Sequence, residues 1–179
     1  DLVCNKNHEQ IKKIRFVEDN TNHMFIRVDE NDLNYDKIKV KSINFSKYDL
    51  VVISDYNKGS LTEEDIKYIT DLGILTIIDT KRKIGDWIND CSFIKLNTHE
   101  YSNNKAYIDK ALFDKTIITL GKNGCSFKGK IFKVPEVEVK DVSGAGDSFL
   151  AGFSLYYLVT GNVELSIEFG NQCSTAVVQ

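Results

Sequence analysis

The sequence predicts an α/β sandwich built on a mainly parallel sheet, with a small β hairpin near its start. Two patterns carry this prediction: continuous apolar runs rich in β-branched residues alternate with helical patterns, and two short, partly alternating runs precede them. A chain of 179 residues has the length for a single domain, residues 1–179. A formal net charge of -3 excludes a broadly basic nucleic-acid-binding surface, and no apolar run is long enough to span a membrane.

The first elements are the two strands of the hairpin. Residues 14–17 and 24–28 are short apolar runs, and the polar residues 19–22 lie between them, which is typical of antiparallel strands joined by a turn. We place this hairpin at about residues 11–30.

The parallel sheet begins with two strands of continuous apolar sequence. Residues 50–53 and 74–78 have no polar interruption that would mark a solvent-facing side, except for Thr76, so we expect both faces to be covered. Between them, the spacing of Thr62 and Asp65 is that of a capping box, which starts a helix, and Gly73 ends that helix.

The same alternation continues to the end of the chain. The pattern predicts strands at residues 93–96 and 115–120, a hairpin at 126–134 and a helix at 148–159, with another helix from about Val163. The helix at 148–159 is apolar on nearly every face, which predicts that it is deeply buried. Ligands of parallel sheets bind beyond the carboxyl ends of the strands, so we expect the functional residues there.

Cysteine usage argues against a metal or disulfide scaffold. Cys4, Cys91, Cys125 and Cys173 are widely scattered and form no close pair, so we expect reduced, mostly buried thiols and no zinc site. The chain starts at Asp1, without an initiator Met or a secretory signal, which favours a cytoplasmic protein or a fragment whose start has been removed.

The glycine loop (residues 141–147, D-V-S-G-A-G-D) leads directly into the apolar helix and carries the strongest functional signal. Its two glycines let the backbone approach a ligand, and the first turn of a helix offers N–H groups to an anion such as a transferring phosphoryl group. Asp147 closes the loop, where its carboxylate can accept a proton from an attacking hydroxyl. The alternative is that Ser143 or Asp141 caps the helix and Asp147 only complements its dipole.

These residues resemble the D-T-x-G-A-G-D signature of the ribokinase-like (PfkB) carbohydrate kinases, with Val142 in the place of Thr. Residues 54–59 resemble the S-D-Y-x-K-G segment of the heptose-7-phosphate kinases, the kinase half of ADP-heptose synthases. Residues 78–81 resemble their I-D-P-K segment and residues 96–100 their P-N-x-x-E segment, each with its proline replaced. The resemblance runs over residues 13–179 and implies a ribokinase-like three-layer sandwich with the early hairpin as a lid.

The resemblance implies roles for individual residues. Asp147 would be the base that activates the acceptor hydroxyl. Asn97 and Glu100 match the N-x-x-E motif that organises hydrated Mg²⁺ and the phosphates of ATP, so they are the expected metal residues, through water. Asn followed three residues later by Glu is also a helix-capping pattern, and the two roles can coexist. The amides of the anion hole would come from Gly144, Ala145 and Gly146.

A second set of residues is expected to bind the nucleotide. The turn that begins at Thr119 reads T-L-G-K-N-G and resembles the family's T-L-G-x-x-G nucleotide-binding turn, so we expect Thr119 and Gly121 to contact ATP. Gly124 is equally typical of a tight turn. Asn171 matches the region that closes the adenine pocket in relatives, with a solvated helical Asn as the alternative, and Asp141 completes the expected set.

The expected substrate residues are charged side chains that follow two strand ends: Asp55, Lys58, Asp79 and Lys81. Lys58 would pair with a phosphate, either of the sugar or of ATP. The alternative for Lys58 is a solvated turn before the helix that starts at Thr62.

The resemblance implies an ATP-dependent kinase that phosphorylates the anomeric hydroxyl of a sugar phosphate. We expect heptose 7-phosphate as the acceptor, in ADP-heptose synthesis, and a homodimer through the lid hairpin. The alternatives are another sugar or nucleoside kinase, or a non-catalytic nucleotide-binding module. Because the family's N-terminal Gly-Gly segment is not found before Ile11, we expect this chain to be an internal fragment of a larger kinase.

Overall fold

A computed structural model describes residues 10–19, 23–32 and 35–179. The strands within these ranges are β1 (Lys12–Val17), β2 (Met24–Glu30), β3 (Leu50–Asp55), β4 (Leu75–Thr80), β5 (Phe93–Asn97), β6 (Thr116–Thr119), β7 (Cys125–Phe127) and β8 (Lys130–Phe132). The α-helices are α1 (Glu63–Asp71), α2 (Thr98–Asn104), α3 (Lys110–Phe113), α4 (Ala145–Thr160) and α5 (Val163–Val178), and short 3-10 helices lie between several of the elements.

The main sheet has six strands in the order β3-β4-β5-β6-β7-β8. The strands β3 to β6 are parallel, and β7 and β8 add an antiparallel edge. Each parallel strand was expected from a mainly apolar run, although Thr76 and Lys95 interrupt two of these runs, and the sequence prediction of a mainly parallel sheet is confirmed.

Helices cover both faces of this sheet. On one face Ile78 packs in a cluster with Ile66 of α1, and on the other face its neighbour Ile77 packs with Phe153 of α4 and Ile167 of α5. Ile77 and Ile78 are adjacent in a strand, where successive side chains point to opposite faces, and both are fully buried. The predicted three-layer arrangement is therefore confirmed.

The capping box predicted for α1 is present. The backbone N–H of Asp65 donates to the Thr62 hydroxyl at 3.1 Å, and the Thr62 N–H donates to the Asp65 carboxylate at 2.9 Å. Gly73 follows the helix with φ +71°, a left-handed conformation that lets the chain leave α1 and enter β4. The crossover between the two parallel strands thus begins and ends where the sequence indicates.

The prediction that the apolar helix is buried on nearly every face is wrong for its outer side. Phe149 and Phe153 of α4 lie in the core, but Leu155 and Val159 are 59% and 76% exposed. The reason is geometric: α4 packs on the sheet and on α5, and this contact covers only part of its circumference. Composition alone does not tell which side of a uniformly apolar helix stays uncovered.

The lid hairpin (β1 and β2) pairs antiparallel outside the main sheet. Ile14 faces Val28 and Phe16 faces Ile26 across the two strands, and these apolar side chains are exposed. The predicted hairpin is confirmed, while residues 20–22 of its predicted turn lie outside the described residues.

The thiols of Cys91 and Cys125 are unpaired and buried, and burial raises the pKa of each to about 12. Cys173 is unpaired and half-buried, and Cys4 lies outside the described residues. In the described ranges, no helix combines the length and the apolar character that a membrane crossing needs.

Candidate active site

The carboxyl ends of the parallel strands bring several predicted residues to one edge of the sheet. Asp55 ends β3, Asp79 lies one residue before the end of β4, and Asn97 ends β5. Thr119, at the end of β6, is the direct neighbour of Asn97 in the strand register. These predicted residues therefore lie together at the edge of the sheet where ligands of parallel sheets usually bind.

The glycine loop reaches the same edge and opens α4. Gly144 is the N-cap residue with φ +78°, and no side chain caps the first turn. Asp141 instead accepts a hydrogen bond from the Ser143 N–H at 2.8 Å, which is the main cause of its lowered pKa. The interpretation of Ser143 or Asp141 as the helix cap is therefore wrong. Within the described part of the chain, the amides of Gly146 and Asp147 have no acceptor.

Asp147 lies in this first turn beside Tyr56, which follows β3. The pKa of Tyr56 is raised, first by partial burial and then by the negative charge of Asp147. Two ammonium groups approach the Tyr56 ring: Lys13 of the lid at 5.6 Å and Lys81 at 5.9 Å from the ring centre. The lid, the strand ends and the candidate base are therefore neighbours.

A buried ion pair lies beneath the glycine loop. The Lys95 ammonium contacts Asp79 Oδ2 at 2.6 Å, and the two residues are 5% and 6% exposed. A Cβ at Gly146 would stand 3.0 Å from the Lys95 ammonium nitrogen. Sequence reasoning missed Lys95, although a lysine between the apolar residues Ile94 and Leu96 of a strand is a usable signal, since buried lysines are rare.

Asn97 and Glu100 form a reciprocal capping box at the start of α2. The Glu100 N–H donates to Asn97 Oδ1 at 2.9 Å, and the Asn97 N–H donates to Glu100 Oε2 at 2.8 Å. The other Glu100 oxygen is paired with Lys81. The capping role is confirmed, and Lys81 is held at this edge by Glu100.

Asn97 and Glu100 are the predicted Mg²⁺ residues, and their geometry limits how they could serve. Both carboxylate oxygens of Glu100 already accept from nitrogen, but each keeps a further lone pair. The donor set can therefore accept hydrogen bonds from the water ligands of a hydrated ion. Among the described residues there is also no cluster of three acidic, His or Cys side chains arranged for a metal.

Asp55 and Lys58 both have partners within the protein. Asp55 is buried, accepts from Arg82 Nε at 2.6 Å and caps the turn at the Asn57 N–H at 3.0 Å. Lys58 is 3.2 Å from buried Asp32, which also accepts from a tyrosine hydroxyl. Arg82 and Asp32 were not predicted, because the sequence does not show which distant charge meets which.

Four of the residues predicted to bind the nucleotide line one cavity of about 590 Å³ next to the glycine loop, while the predicted Asp141 is not part of its lining. Its walls include Thr119, Gly121, Gly124, Asn171, Ala145 and Gly146. The interpretation of Asn171 as a solvated helical residue is wrong, since Asn171 is 6% exposed and its amide donates to the Phe132 carbonyl at 3.1 Å. A Cβ at Gly124 would stand 2.0 Å from that same carbonyl oxygen, so the tight turn at Gly124 is a structural requirement.

Solved structures of sugar kinases have a similar fold. Ribokinase from Thermotoga maritima aligns with a TM-score of 0.70 at 18% identity, covering 93% of this chain and 62% of that one. Arabidopsis thaliana ribokinase, complexed with ribose and ATP, aligns with a TM-score of 0.57 at 18% identity, covering 73% and 49%. At these identities the likeness establishes the fold, and the predicted ribokinase-like architecture is confirmed.

Sequence comparison gives the family. The model of the pfkB family carbohydrate kinases matches residues 2–179. The bifunctional protein HldE of Helicobacter pylori (strain HPAG1) is 29% identical over 188 residues, which cover 88% of this chain and 40% of that protein. HldE of Campylobacter fetus is 31% identical over 155 residues, covering 74% and 34%. The chain therefore spans about two fifths of the curated relatives it matches.

Proposed function

The chain belongs to the pfkB family of carbohydrate kinases, and from this premise we propose that it transfers the γ-phosphoryl group of ATP to a sugar phosphate. The acceptor in this proposal is heptose 7-phosphate and the product is heptose 1,7-bisphosphate, a step of ADP-heptose synthesis. The observation that carries the proposal is the uncapped first turn of α4, with Asp147 in it and the 590 Å³ cavity beside it. A cytoplasmic location is part of the proposal, because ATP is the donor.

The proposed reaction uses these groups directly. The Asp147 carboxylate takes the proton of the anomeric hydroxyl as its oxygen attacks the γ-phosphorus. A new O–P bond forms, the bond from the γ-phosphorus to the β,γ-bridging oxygen breaks, and ADP leaves. The amides of Gly146 and Asp147, which have no acceptor among the described residues, stabilise the charge on the transferring group.

Two further groups would assist this reaction. Asn97 and Glu100 would hold Mg²⁺ through its water ligands, and the ion would neutralise phosphate charge. Thr119 and Gly121 would contact the nucleotide in the cavity that they line.

The preference for a phosphorylated acceptor is supported by cations on the inner face of the lid. Lys13 lies over the Tyr56 ring. The charge of Arg15 adds to the lowering of the Asp141 pKa, which the Ser143 N–H mainly causes. These two residues share one face of β1 and turn toward the base and the glycine loop. Lys13 also lies 3.8 Å from the Asp32 carboxylate, and a sugar phosphate would give these cations a further anionic partner that a neutral sugar lacks. The choice of heptose rests on the S-D-Y-x-K-G resemblance at residues 54–59.

A homodimer through the lid is also proposed. The opposite face of the hairpin carries the exposed apolar side chains of Ile14, Phe16, Ile26 and Val28. A two-stranded ribbon is marginal by itself in water, and a second copy of the same face would cover these side chains.

The test is ADP release with Mg-ATP and a panel of sugar phosphates. We expect turnover with heptose 7-phosphate and a fall of roughly 10²- to 10⁴-fold in Asp147→Asn, the range that a general base contributes. Asp71→Asn is the control, since Asp71 is an exposed carboxylate at the far end of α1 and should leave turnover unchanged. Turnover on another sugar would show that heptose 7-phosphate is the wrong acceptor. ATP binding without turnover on any sugar would favour the alternative of a non-catalytic nucleotide-binding module.

A further inference from the structure

We propose that Lys95 is a further catalytic residue, whose ammonium contacts the transferring phosphoryl group from beneath the glycine loop, and that Asp79 is the positioning residue that holds it there. The inference rests on the proposed function, because the group that Lys95 would contact is the γ-phosphoryl of ATP. Lys95 lies in β5, is 5% exposed and stands between two fully buried apolar residues.

The burial of Lys95 needs an explanation, because an ammonium that leaves water loses its hydration and must be paired. Asp79 is its direct neighbour in the register of β4 and β5, and the two side chains meet at 2.6 Å. An ammonium has three N–H donors, and the described residues supply an acceptor for one of them. The pair therefore has donor capacity left over at a place that bulk water barely reaches.

Asp79 is incompletely satisfied as well. Its Oδ2 accepts from Lys95, while its buried Oδ1 has no partner in the part of the chain that the structure describes. If this ion pair served only stability, we would expect its remaining donors and acceptor to be hydrogen-bonded within the protein. Apolar residues of similar volume often replace such pairs without loss of stability. Unfilled donor and acceptor positions on both partners are what a site that receives a ligand requires.

The Lys95 side chain points toward the glycine loop. The position of a Cβ on Gly146 is 3.0 Å from the ammonium nitrogen, so the ammonium lies directly under the second residue of α4. The amides of Gly146 and Asp147 belong to this same first turn, at the positive end of the helix dipole, and have no acceptor among the described residues. Asp79 neutralises the ammonium on one side, and one phosphoryl oxygen would accept from a remaining donor of Lys95 and from the helix amides together.

This placement also gives Gly146 a second reason to be glycine. Its missing side chain lets the ligand approach the backbone, and it also leaves the space that the Lys95 ammonium occupies. The anion held at this point touches the residue that carries the base, Asp147. It is therefore the transferring group, while the rest of the nucleotide extends into the cavity that Ala145 and Gly146 line.

The test compares two nucleotides that differ in the γ-phosphoryl group. Affinities for AMP-PNP and ADP are measured by calorimetry in the presence of Mg²⁺, for the wild-type chain and for Lys95→Met/Asp79→Asn, which removes both charges together. We expect the Kd for AMP-PNP to rise roughly 10- to 100-fold, as for the loss of a charge-assisted hydrogen bond, and the Kd for ADP to change less than about 3-fold. Lys115→Met, at the start of β6 on the opposite edge, should change neither value.

Asp79→Asn alone tests the positioning role. We expect it to raise the ratio of the AMP-PNP Kd to the ADP Kd, which a purely stabilising role would leave constant. If the double variant gives no cooperative melting transition, Lys95→Gln/Asp79→Asn, which can restore a side-chain hydrogen bond, takes its place. Equal effects on the two nucleotides, or none, would overturn the inference and leave the proposed function standing. A wild-type chain that binds neither nucleotide would overturn the proposed function itself.

Discussion

Substituting Gly124 by alanine should damage both the fold and the nucleotide cavity. Gly124 has φ +85°, and a Cβ there would stand 2.0 Å from the Phe132 carbonyl oxygen, a distance that no carbon–oxygen contact tolerates. That oxygen already accepts the Asn171 amide at 3.1 Å. Relief of the clash requires β8 to move by about 1 Å or more, and the Asn171 hydrogen bond is then lost.

The magnitude follows from two contributions. A left-handed conformation costs a residue with a Cβ about 1–2 kcal/mol. The displaced carbonyl and the stranded Asn171 amide cost about 1–3 kcal/mol more, because both are buried. We expect Gly124→Ala to lower the free energy of unfolding by about 2–5 kcal/mol in total. Gly129→Ala is the matched control, since Gly129 has φ +79° with no atom within 4 Å of its Cβ position and should lose only the first contribution.

The measurement is urea unfolding of the two variants and the wild type, together with AMP-PNP affinity. Gly124→Ala should also weaken AMP-PNP binding, because Gly124 and Asn171 line the cavity, whereas Gly129→Ala should leave it unchanged. Equal destabilisation by the two substitutions would show that the Phe132 carbonyl does not lie as close to Gly124 as the structure indicates. Destabilisation without weaker binding would refute the assignment of the cavity to the nucleotide.

Three further outcomes are expected. The Tyr35 hydroxyl and neighbouring ammonium groups lower the pKa of buried Asp32 below 3.8, so its contribution to stability is complete above that pH and is lost as the pH falls through the native pKa. The gap in unfolding free energy between wild type and Asp32→Asn should accordingly narrow below about pH 4, and a constant gap would contradict this. With pKa values of about 12, Cys91 and Cys125 should resist a disulfide reagent at pH 8 until urea unfolds the chain, as mass spectrometry of the labelled protein can show. Phe16→Lys should convert a dimer to a monomer in sedimentation velocity, and a monomeric wild type would exclude the lid interface.

The sequence was sufficient for the strands of the sheet, for the helices α1, α4 and α5 and for the edge of the sheet where the candidate site lies, because these depend on local patterns, whereas α3 was not predicted. The Thr62 capping box and the continuous apolar strands are visible without any knowledge of tertiary structure. The charge pairs are not visible in this way, since Lys95 and Asp79 are 16 positions apart in the sequence and Arg82 and Asp55 are 27 positions apart. Their pairing depends on the strand register, which is set by the packing of the whole sheet.

The difference between local patterns and long-range contacts also explains which predicted residues have contacts that the sequence did not indicate. Asp55 and Lys58 were expected to contact substrate from their position after a strand, yet both have partners within the protein, which position alone does not reveal. Their substrate role stays a prediction. Asn97 and Glu100 matched two patterns at once, and the capping pattern is the one that a short segment can determine, because both partners lie within one helical turn.

The helix starts of this chain form an internal comparison that bears on the proposed function. Of the five α-helices in the described ranges, four begin with a side chain that accepts an N–H of the first turn: Thr62, Asn97, Asp109 and Asn162. Such a cap contributes about 1 kcal/mol. The fifth α-helix, α4, begins at Gly144 without such a side chain, so its first-turn amides lack that stabilisation from within the protein. An anion bound there would restore it, and the apparent stability of the chain should therefore rise with the concentration of a nucleotide that carries a γ-phosphoryl group.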